Sequence, residues 1–246
     1  MKKLSILLLL FCFLSVGKTV FAQGENELKN FRFGLKAQPS LGWYKPEEIK
    51  KYSSGGIKIK FGYGLITEFR LSKVASFQTG LEINSSGGII EYLDSTYFVP
   101  SGDTNKFYMK TRNYSVNYID LPISLKLKSS EIGAITYWGQ FGLNASIRWK
   151  AKATDVGHFK NTTTDVTQDP LDITSDMSLI QLGLNVGIGI EYNLAGSTSL
   201  LVGVNYHNGF TNIMRSESKL LLDKTATAIK QNTKANFVSL TVGVLF

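Results

Sequence analysis

Apolar and polar residues alternate strictly along residues 178–194, SLIQLGLNVGIGIEYNL. Every even position from Ile180 to Leu194 carries an apolar or aromatic side chain, whereas the odd positions between them carry glycine, amide or glutamate. A repeat of two residues places successive side chains on opposite faces of a β-strand, and it fits no helix. An ordinary strand has about 5–6 residues, whereas a strand that crosses a bilayer has about 9–11 and can project further. The pattern therefore predicts an unusually long strand with one wholly apolar face.

The same alternation recurs in seven further segments. They cover residues 31–43, 57–71, 77–89, 114–127, 135–149, 200–210 and 238–246. The links at 72–74, 129–133 and 195–197 are short, whereas those at 44–55, 93–112, 151–177 and 214–234 are long and polar. Short links that alternate with long ones are typical of outer-membrane barrels. We therefore predict an all-β fold: an eight-stranded antiparallel up-and-down transmembrane β-barrel with short periplasmic turns and long extracellular loops.

The direction of the apolar face separates a membrane barrel from a secreted, lipocalin-like barrel, in which that face would line a ligand cavity. Three features favour an apolar face turned towards lipid. The polar face is rich in glycine, as a crowded eight-stranded interior requires, its charges are sparse and of both signs, and aromatic residues lie near the strand ends. These aromatic residues are Trp43, Tyr44, Trp149, Tyr192, Tyr206 and Phe210.

An eight-stranded barrel is just wide enough for side chains to fill it, so we expect its inward charges to form a plug. The expected interior polar network consists of Lys36, Glu68, Arg70, Glu82, Asp120, Lys126 and Glu191. Its carboxylates must be paired or hydrogen-bonded, because an uncompensated buried charge is very costly. A proton or ion path is the alternative interpretation of the same residues, and a packed network is favoured over it.

The fourth segment changes parity along its length. Tyr114, Val116 and Tyr118 are apolar on even positions, whereas the apolar positions from Ile119 onward are odd. A change of parity within one strand requires an extra residue, which is a β-bulge. Proline inside a sheet is tolerated mainly at edges and bulges. We therefore predict a bulge between Tyr118 and Pro122.

The beginning of the chain has the organisation of a secretory signal peptide. Lys2 and Lys3 precede an apolar run at 4–13, and small residues flank Phe21 in a cleavage site that would end at Ala22. We therefore predict a signal peptide at 1–22 and a single outer-membrane β-barrel domain at 23–246. The expected location is the bacterial outer membrane.

Cysteine content and charge exclude several classes of function. The only cysteine, Cys12, lies in the predicted signal peptide, so the mature chain would have neither disulfides nor cysteine-ligated zinc. The formal charge of +8 falls to +5 without the three lysines of residues 1–22, and no dense basic block is present. Nucleic acid is therefore not an expected partner. No spacing of histidines or carboxylates indicates a metal site, and we expect no metal and no cofactor.

Two stretches resemble a known family, and a third resembles an assembly signal. Residues 117–126, NYIDLPISLK, resemble the Tyr-x-(acid)-x-Pro-x-x-x-Lys strand of PorT-like outer-membrane β-barrel proteins, and 183–192, GLNVGIGIEY, resembles a later strand of that family. The terminal FVSLTVGVLF, which ends in Phe246, resembles the signal by which the outer-membrane assembly machinery recognises barrels. The resemblance implies an eight-stranded barrel of Gram-negative bacteria, with outer-membrane lipid and the assembly machinery as partners. It implies little chemistry, although some relatives are linked to protein secretion.

Catalytic side chains are few. His158 lies in a long loop, and His207 is expected to point inward, opposite Asn185. A His–Asn pair with Ser178 or Ser216 could form part of a lipid hydrolase. A hydrolase nucleophile would have to meet its substrate at the lipid-facing side, however, so we favour a satisfied interior histidine and predict no enzyme.

The outer loops are the remaining candidate sites. Tyr97, Phe98, Phe107 and Tyr108 lie in the loop 93–112, where exposed aromatic residues would suit binding of protein or glycan. Packing of these residues within the loops is an equal alternative. We expect a non-enzymatic barrel that presents extracellular loops in envelope structure, adhesion or secretion support, with a possible extracellular or envelope protein partner. A narrow passive pore and a lipid-modifying enzyme centred on His207 are the alternatives.

Overall fold

The computed structural model describes residues 30–100, 105–168 and 170–246. The predicted signal peptide therefore lies outside the described residues. The strands are β1 (Phe31–Pro46), β2 (Tyr52–Gly56), β3 (Lys58–Arg70), β4 (Ala75–Tyr92), β5 (Tyr97–Phe98), β6 (Phe107–Lys128), β7 (Ile135–Phe159), β8 (Val166–Thr167), β9 (Leu171–Asp172), β10 (Ile180–Ala195), β11 (Thr198–Gly209) and β12 (Thr233–Leu245). A 3-10 turn occupies Thr174–Asp176. Within the described part of the chain, no helix has the length and apolarity needed to cross a membrane.

Eight of these strands close into a ring. The antiparallel pairs follow the order β1–β3, β3–β4, β4–β6, β6–β7, β7–β10, β10–β11, β11–β12 and β12–β1. The predicted eight-stranded barrel is thereby confirmed. The four short strands are additions to the ring: β2 pairs with β4, β5 with β6, and both β8 and β9 with β7.

The ends of the barrel differ in the way that the link lengths predict. The short links after β3, β6 and β10 lie at the same end as the start of β1 and the end of β12, where Gly34 pairs with Leu245. We call this the periplasmic end, because outer-membrane barrels place their short turns there. The long links and all four short strands lie at the opposite, extracellular end.

The apolar face points outward, as predicted. On β10, Ile188 has 70 % of its surface exposed, whereas Asn185 and Glu191 on the opposite face are only 4 % and 5 % exposed. Rings of aromatic side chains border this face. At the periplasmic end, Phe33 packs against Phe246 with ring centroids 5.6 Å apart, and at the extracellular end Trp43 stacks on Tyr206 at 6.3 Å. The face is therefore a lipid-facing belt with borders of the kind found at both interfaces of membrane barrels.

The polarity of the barrel inverts towards the extracellular end, and β6 shows where. From Ile119 downwards the outward side chains of β6 are apolar and the inward ones are mostly polar. Above Tyr118 the outward ones are mostly polar, and the inward ones are apolar or aromatic except for Arg112. The buried apolar side chains above this level form one cluster that includes Tyr44, Tyr52, Ile90, Phe98, Phe107, Tyr114, Ile173, Ile213 and Leu221. In both parts the apolar side chains avoid water: they face outward where the barrel is surrounded by lipid, and they face inward where it is surrounded by water. We call the part above Tyr118 the extracellular extension.

This inversion corrects the predicted bulge. Between Tyr118 and Pro122, β6 pairs with β4 and with β7 without any shift of register. The shift lies beside this segment, between Asn117 and Tyr118, and the unpaired residue is Trp149 on β7. The prediction was wrong in position because Tyr118, Asp120 and Pro122 share the inward face. The chemistry of the interior changes at this point, and the parity of the strand does not.

Two further expectations need correction. Much of the predicted loops 93–112 and 151–177 is strand, because β6 begins at Phe107 and β7 continues to Phe159. Tyr44, expected at the lipid interface, is wholly buried in the extracellular extension. Both errors have one cause: rules for a lipid-embedded strand do not apply to the part of the same strand that lies in water.

Candidate functional site

A buried ionic cluster closes the periplasmic half of the lumen. The Nζ atom of Lys126 lies 2.5 Å from Oε1 of Glu68 and 2.6 Å from Oε1 of Glu191. The three residues come from β6, β3 and β10, so the ion pairs bridge the lumen between strands that are not neighbours in the ring. All three are at most 5 % exposed. Because each charge has a partner, the large cost of burying it alone is avoided.

Two more cations complete this cluster. Nζ of Lys128 lies 2.7 Å from Oε2 of Glu68 and 2.9 Å from Oε1 of Glu191. Nη1 of Arg32 donates to Oε2 of Glu191 at 2.8 Å and lies 3.7 Å from Oε2 of Glu68. The result is two carboxylates held by three cations. We call these five residues the lower cluster.

The neighbouring strands are shaped to hold the lower cluster. The indole ring of Trp138 lies beneath Lys126, with Nζ 4.9 Å from the ring centroid. A cation above an aromatic face is stabilised by the electrons of the ring. Gly189 and Gly203 make room for this ring, because a Cβ at either position would overlap with it. Glycines on the inward face of β10 and β11 are therefore needed to seat Trp138.

A second ion pair lies at mid-height. Lys36 contacts Glu82, with Nζ 2.5 Å from Oε1, and Asn84 donates from Nδ2 to Oδ2 of Asp120 at 3.1 Å. The rest of this level is filled by amides and hydroxyls: Gln140 donates to Asn205 at 2.8 Å, and Asn205 donates to Thr241 at 2.7 Å. Side chains rather than an open path occupy this level of the barrel.

His207 lies above this level and stacks on Phe237, with ring centroids 4.1 Å apart. It pairs with Asn185 across β10 and β11, as predicted. Neither of its ring nitrogens has a hydrogen-bond partner among the described residues. Ser178, one of the two candidate nucleophiles, donates its hydroxyl to the backbone oxygen of Met214 at 2.9 Å. His207 therefore has no hydrogen-bonded serine among the described residues. Its interior position is as expected, whereas the hydrogen bonds expected of a satisfied histidine are not found among these residues.

Among the described residues, the extracellular extension contains one buried ion pair. Arg112 donates from Nε and Nη2 to the two carboxylate oxygens of Asp155, both at 2.6 Å, and both residues are almost inaccessible to solvent. Burial on its own would lower the pKa of Arg112, but the hydrogen bonds and negative charge of Asp155 raise it above its usual value. This bidentate pair joins β6 to β7 inside an otherwise apolar and aromatic core.

The aromatic residues proposed as an exposed binding surface are mostly inside this core. Tyr97, Phe98 and Phe107 are at most 4 % exposed, and the rings of Phe98 and Phe107 lie 5.3 Å apart. The alternative in which these side chains pack among themselves is the one that the structure shows. Tyr108 is only partly buried and stacks on His158 at 5.8 Å.

The structure brings some of the predicted network together and separates the rest. Glu68, Lys126 and Glu191 form the lower cluster, and Arg70 lies at its periplasmic edge, within electrostatic range of both glutamates. Lys36 does not join them, since it pairs with Glu82 at the level of Asp120. The prediction omitted Arg32 and Lys128. Both occupy polar positions in the alternating pattern, so the alternation along their strands would have been sufficient to predict that they point inward.

The described histidines and carboxylates do not gather into a metal site. Over 30–100, 105–168 and 170–246, no three histidine, cysteine, aspartate or glutamate side chains are arranged to hold a metal ion. The interior carboxylates are paired with side-chain cations or amides instead. What this arrangement does chemically is to close the lumen.

The closed ring, the lipid-facing belt and the filled interior define a small β-barrel of the outer-membrane type. Residues 21–215 match the family described as "Outer membrane protein beta-barrel domain". The match covers more than half of the chain, and the chain therefore belongs to this family. It is an outer-membrane β-barrel protein, and the predicted location in the bacterial outer membrane is confirmed.

Several solved barrels are similar in overall form. Neisserial surface protein A is 13 % identical, with 88 % of this chain and 96 % of that chain covered and a TM-score of 0.44. OprG from Pseudomonas aeruginosa is 11 % identical, with 88 % and 95 % covered and a TM-score of 0.42. Ail, the attachment invasion locus protein of Yersinia pestis, is 10 % identical, with 89 % and 100 % covered and a TM-score of 0.37. A comparison with curated proteins finds no match.

Proposed function

We propose that this protein is a non-enzymatic barrel whose sealed transmembrane part carries the extracellular extension as a binding surface for an envelope or extracellular protein. The observation that carries the proposal is the division of the molecule at Tyr118. Below it ion pairs fill the lumen, and above it the strands continue around an apolar core. Such a molecule anchors and presents a folded surface, in envelope structure, adhesion or secretion support.

The sealed lumen favours presentation over the alternative of a passive pore. Glu68, Lys126 and Glu191 bridge the periplasmic half, and the cavity beside Asp120 and His207 has a volume of only 20 Å³, which is room for about one water molecule. In planar bilayers we expect the purified, folded protein to give no steady channels. A variant that shortens charged side chains at both filled levels, Lys126→Ala and Glu68→Ala together with Lys36→Ala and Glu82→Ala, should conduct or flicker. This control shows that the assay detects conduction through this barrel. Steady channels from the unaltered protein would contradict the proposal and favour the pore.

The extracellular extension supports the proposed binding role through its order. Its aromatic residues are packed in a core rather than exposed on loops, and this packing favours an outer surface of fixed shape. A preorganised surface binds its partner at a lower entropic cost. Tyr108, partly exposed beside His158, lies on this surface.

Crosslinking in intact outer membranes tests this role. A photoreactive residue in place of Tyr108 should capture a specific protein, whereas the same residue in place of lipid-facing Leu121 should capture lipid. If Tyr108 and further positions on the extension yielded no protein beyond the Leu121 control, the binding role would be refuted.

We also infer that the barrel is PorT-like and acts in support of protein secretion. The resemblance rests on Tyr118, Asp120, Pro122 and Lys126, and these four side chains share the inward face of β6, so the motif describes one face of one strand. Deletion of the gene should lower the amount of secreted protein in the medium, and the unaltered gene should restore it. Unchanged secretion would remove this role and leave structure or adhesion.

The absence of enzymatic activity is part of the same proposal. His207 is stacked on Phe237 and Ser178 is bonded to the backbone, an arrangement that favours a structural histidine. In a lipid-modification assay on outer membranes, His207→Ala should behave as the unaltered protein does. A lipid product that depends on His207 would overturn this point.

A further inference from the structure

The periplasmic mouth of the barrel opens into a cavity of 660 Å³ that lies directly below the lower cluster. The charged side chains that line it are Arg32, Arg70, Lys73, Lys128, Glu131 and Glu191. Together with Lys126 and Glu68 just above, the described side chains at this mouth comprise five cations and three carboxylates. The mouth therefore has a surplus of two positive charges in a recess bounded by a low-dielectric wall, where an anion is attracted more strongly than at an open surface.

The two arginines at this mouth have donors to spare. Arg32 uses Nη1 for Glu191, while its Nε and Nη2 are buried and have no partner among the described residues. Nη1 of Arg70 is likewise buried without a partner. A buried donor without an acceptor costs free energy, and a guanidinium presents its donors in a planar fork that suits phosphate and carboxylate oxygens.

We propose that this mouth binds a phosphate group between Arg32 and Arg70, with Lys73 and Lys128 as additional cations. A phosphate offers several acceptor oxygens, and the unpartnered guanidinium donors, buried in this structure, reach it once the two arginine side chains turn towards the cavity. Its charge of up to two balances the surplus of two among the charged side chains named above. The group could belong to a soluble phosphate or to the headgroup of a phospholipid in the periplasmic leaflet, which borders this end of the barrel. Both sources present the same oxygens to the arginines.

Calorimetric titration of the folded protein tests the proposal, in a maltoside detergent that contains no phosphate, at low salt and pH 8. One arm uses inorganic phosphate, and the other uses dihexanoyl phosphatidylglycerol below its micellar concentration. We expect saturable binding in at least one arm. Arg70→Gln should weaken it by at least about tenfold, as expected for loss of a charge-assisted hydrogen bond.

Two further variants make the result specific. Arg32→Gln should weaken binding similarly, whereas Lys58→Gln, which removes a lysine from the extracellular start of β3, should leave it unchanged. Retention of the compact form in unheated electrophoresis shows that each variant is folded. Binding of inorganic phosphate that depends on Arg70 supports a soluble ligand, and binding of the lipid alone supports a headgroup. If neither binds, or if binding survives both arginine substitutions, the proposal is wrong.

Discussion

At the scale of single residues, Trp138 shows how small side chains on one strand determine what another strand can place in the lumen. Its ring fills the space above Gly189 and Gly203, and Lys126 lies over it. Packed interiors tolerate extra atoms poorly, because neighbours must leave their preferred rotamers or the backbone must shift. The position of the lower cluster therefore depends on glycines that carry no charge.

Gly203→Ala should destabilise the barrel by about 1–3 kcal/mol, because the added methyl group meets both the Trp138 ring and the backbone oxygen of Ile188. Urea unfolding in lipid vesicles measures the loss. Gly139→Ala is the matched control, since the nearest atom to its added Cβ is 3.9 Å away, and it should be neutral or slightly stabilising. Combining Gly203→Ala with Trp138→Phe should cost less than the sum of the two changes. Strict additivity would show that Trp138 is not the obstacle.

The Arg112–Asp155 pair is the second feature at this scale with a measurable consequence. Asp155→Asn leaves the buried guanidinium without its counter-charge, and breaking such a pair costs about 3–5 kcal/mol. Because the pair lies above the lipid-facing belt, the loss should appear as faster hydrogen exchange in the upper parts of β6 and β7. The lower parts of the same strands should keep their protection.

The exposed pair between Lys110 and Asp165 is the control for this prediction. Lys110→Ala should leave exchange unchanged, because ion pairs in water contribute little. Uniform loss of protection along β6 in Asp155→Asn would instead mean that the extension and the transmembrane part unfold as one unit.

At the scale of elements, β6 passes through both environments. Its segment from Phe107 to Tyr118 is roughly 37 Å long at about 3.4 Å per residue, and the whole of it lies above the lipid-facing part that begins at Ile119. Strand length on its own therefore overstates the membrane-spanning portion. The polarity of the outward side chains is what marks the boundary.

A pair of spin labels on β6 locates this boundary. A nitroxide at Leu121→Cys should collide with oxygen more than with a water-soluble nickel complex, and a nitroxide at Ser115→Cys should show the reverse. Both side chains point outward, but the first lies in the apolar belt and the second above it. Lipid exposure of both labels would place the membrane higher on the strand and leave no water-exposed extension at Ser115.

The same element shows what a single sequence can and cannot predict. Alternation identified all eight ring strands, the outward direction of residues such as Ile188, and the inward position of Glu68, Lys126 and Glu191, because side-chain parity is local. It failed at Tyr118, where the solvent outside the barrel changes from lipid to water and the preferred face changes with it. It also could not separate Lys36 from the lower cluster, since the stagger between strands decides which inward residues share a level. The first error concerns the environment outside the barrel and the second the stagger between strands, and a local pattern has no information on either.

At the scale of the whole molecule, the same strands form two parts that are packed in opposite ways: the transmembrane part and the extracellular extension. In the transmembrane part, buried charges pair across the lumen. In the extracellular extension, water is excluded from an apolar core. The ring closes only when β12, the last strand, pairs with β1. Closure of both parts of the barrel therefore depends on β12.

Phe246 is the residue at which assembly of the whole barrel can be tested. Its backbone N–H donates to the oxygen of Phe33 at 2.8 Å, and its ring packs on Phe33 at the lipid-facing rim. Replacing the ring leaves that backbone bond possible, so Phe246→Ala should lower the free energy of unfolding of refolded protein only modestly, by about 1 kcal/mol. If the ring also serves as the signal for the assembly machinery, the amount of barrel in the outer membrane should fall by a much larger factor than this loss explains.

Phe33→Ala removes the other half of the same contact without altering Phe246 and is the matched control. Equal losses of membrane-inserted protein in the two variants would reduce Phe246 to a packing residue, whereas a loss confined to Phe246→Ala would establish recognition of the terminal strand before the ring closes.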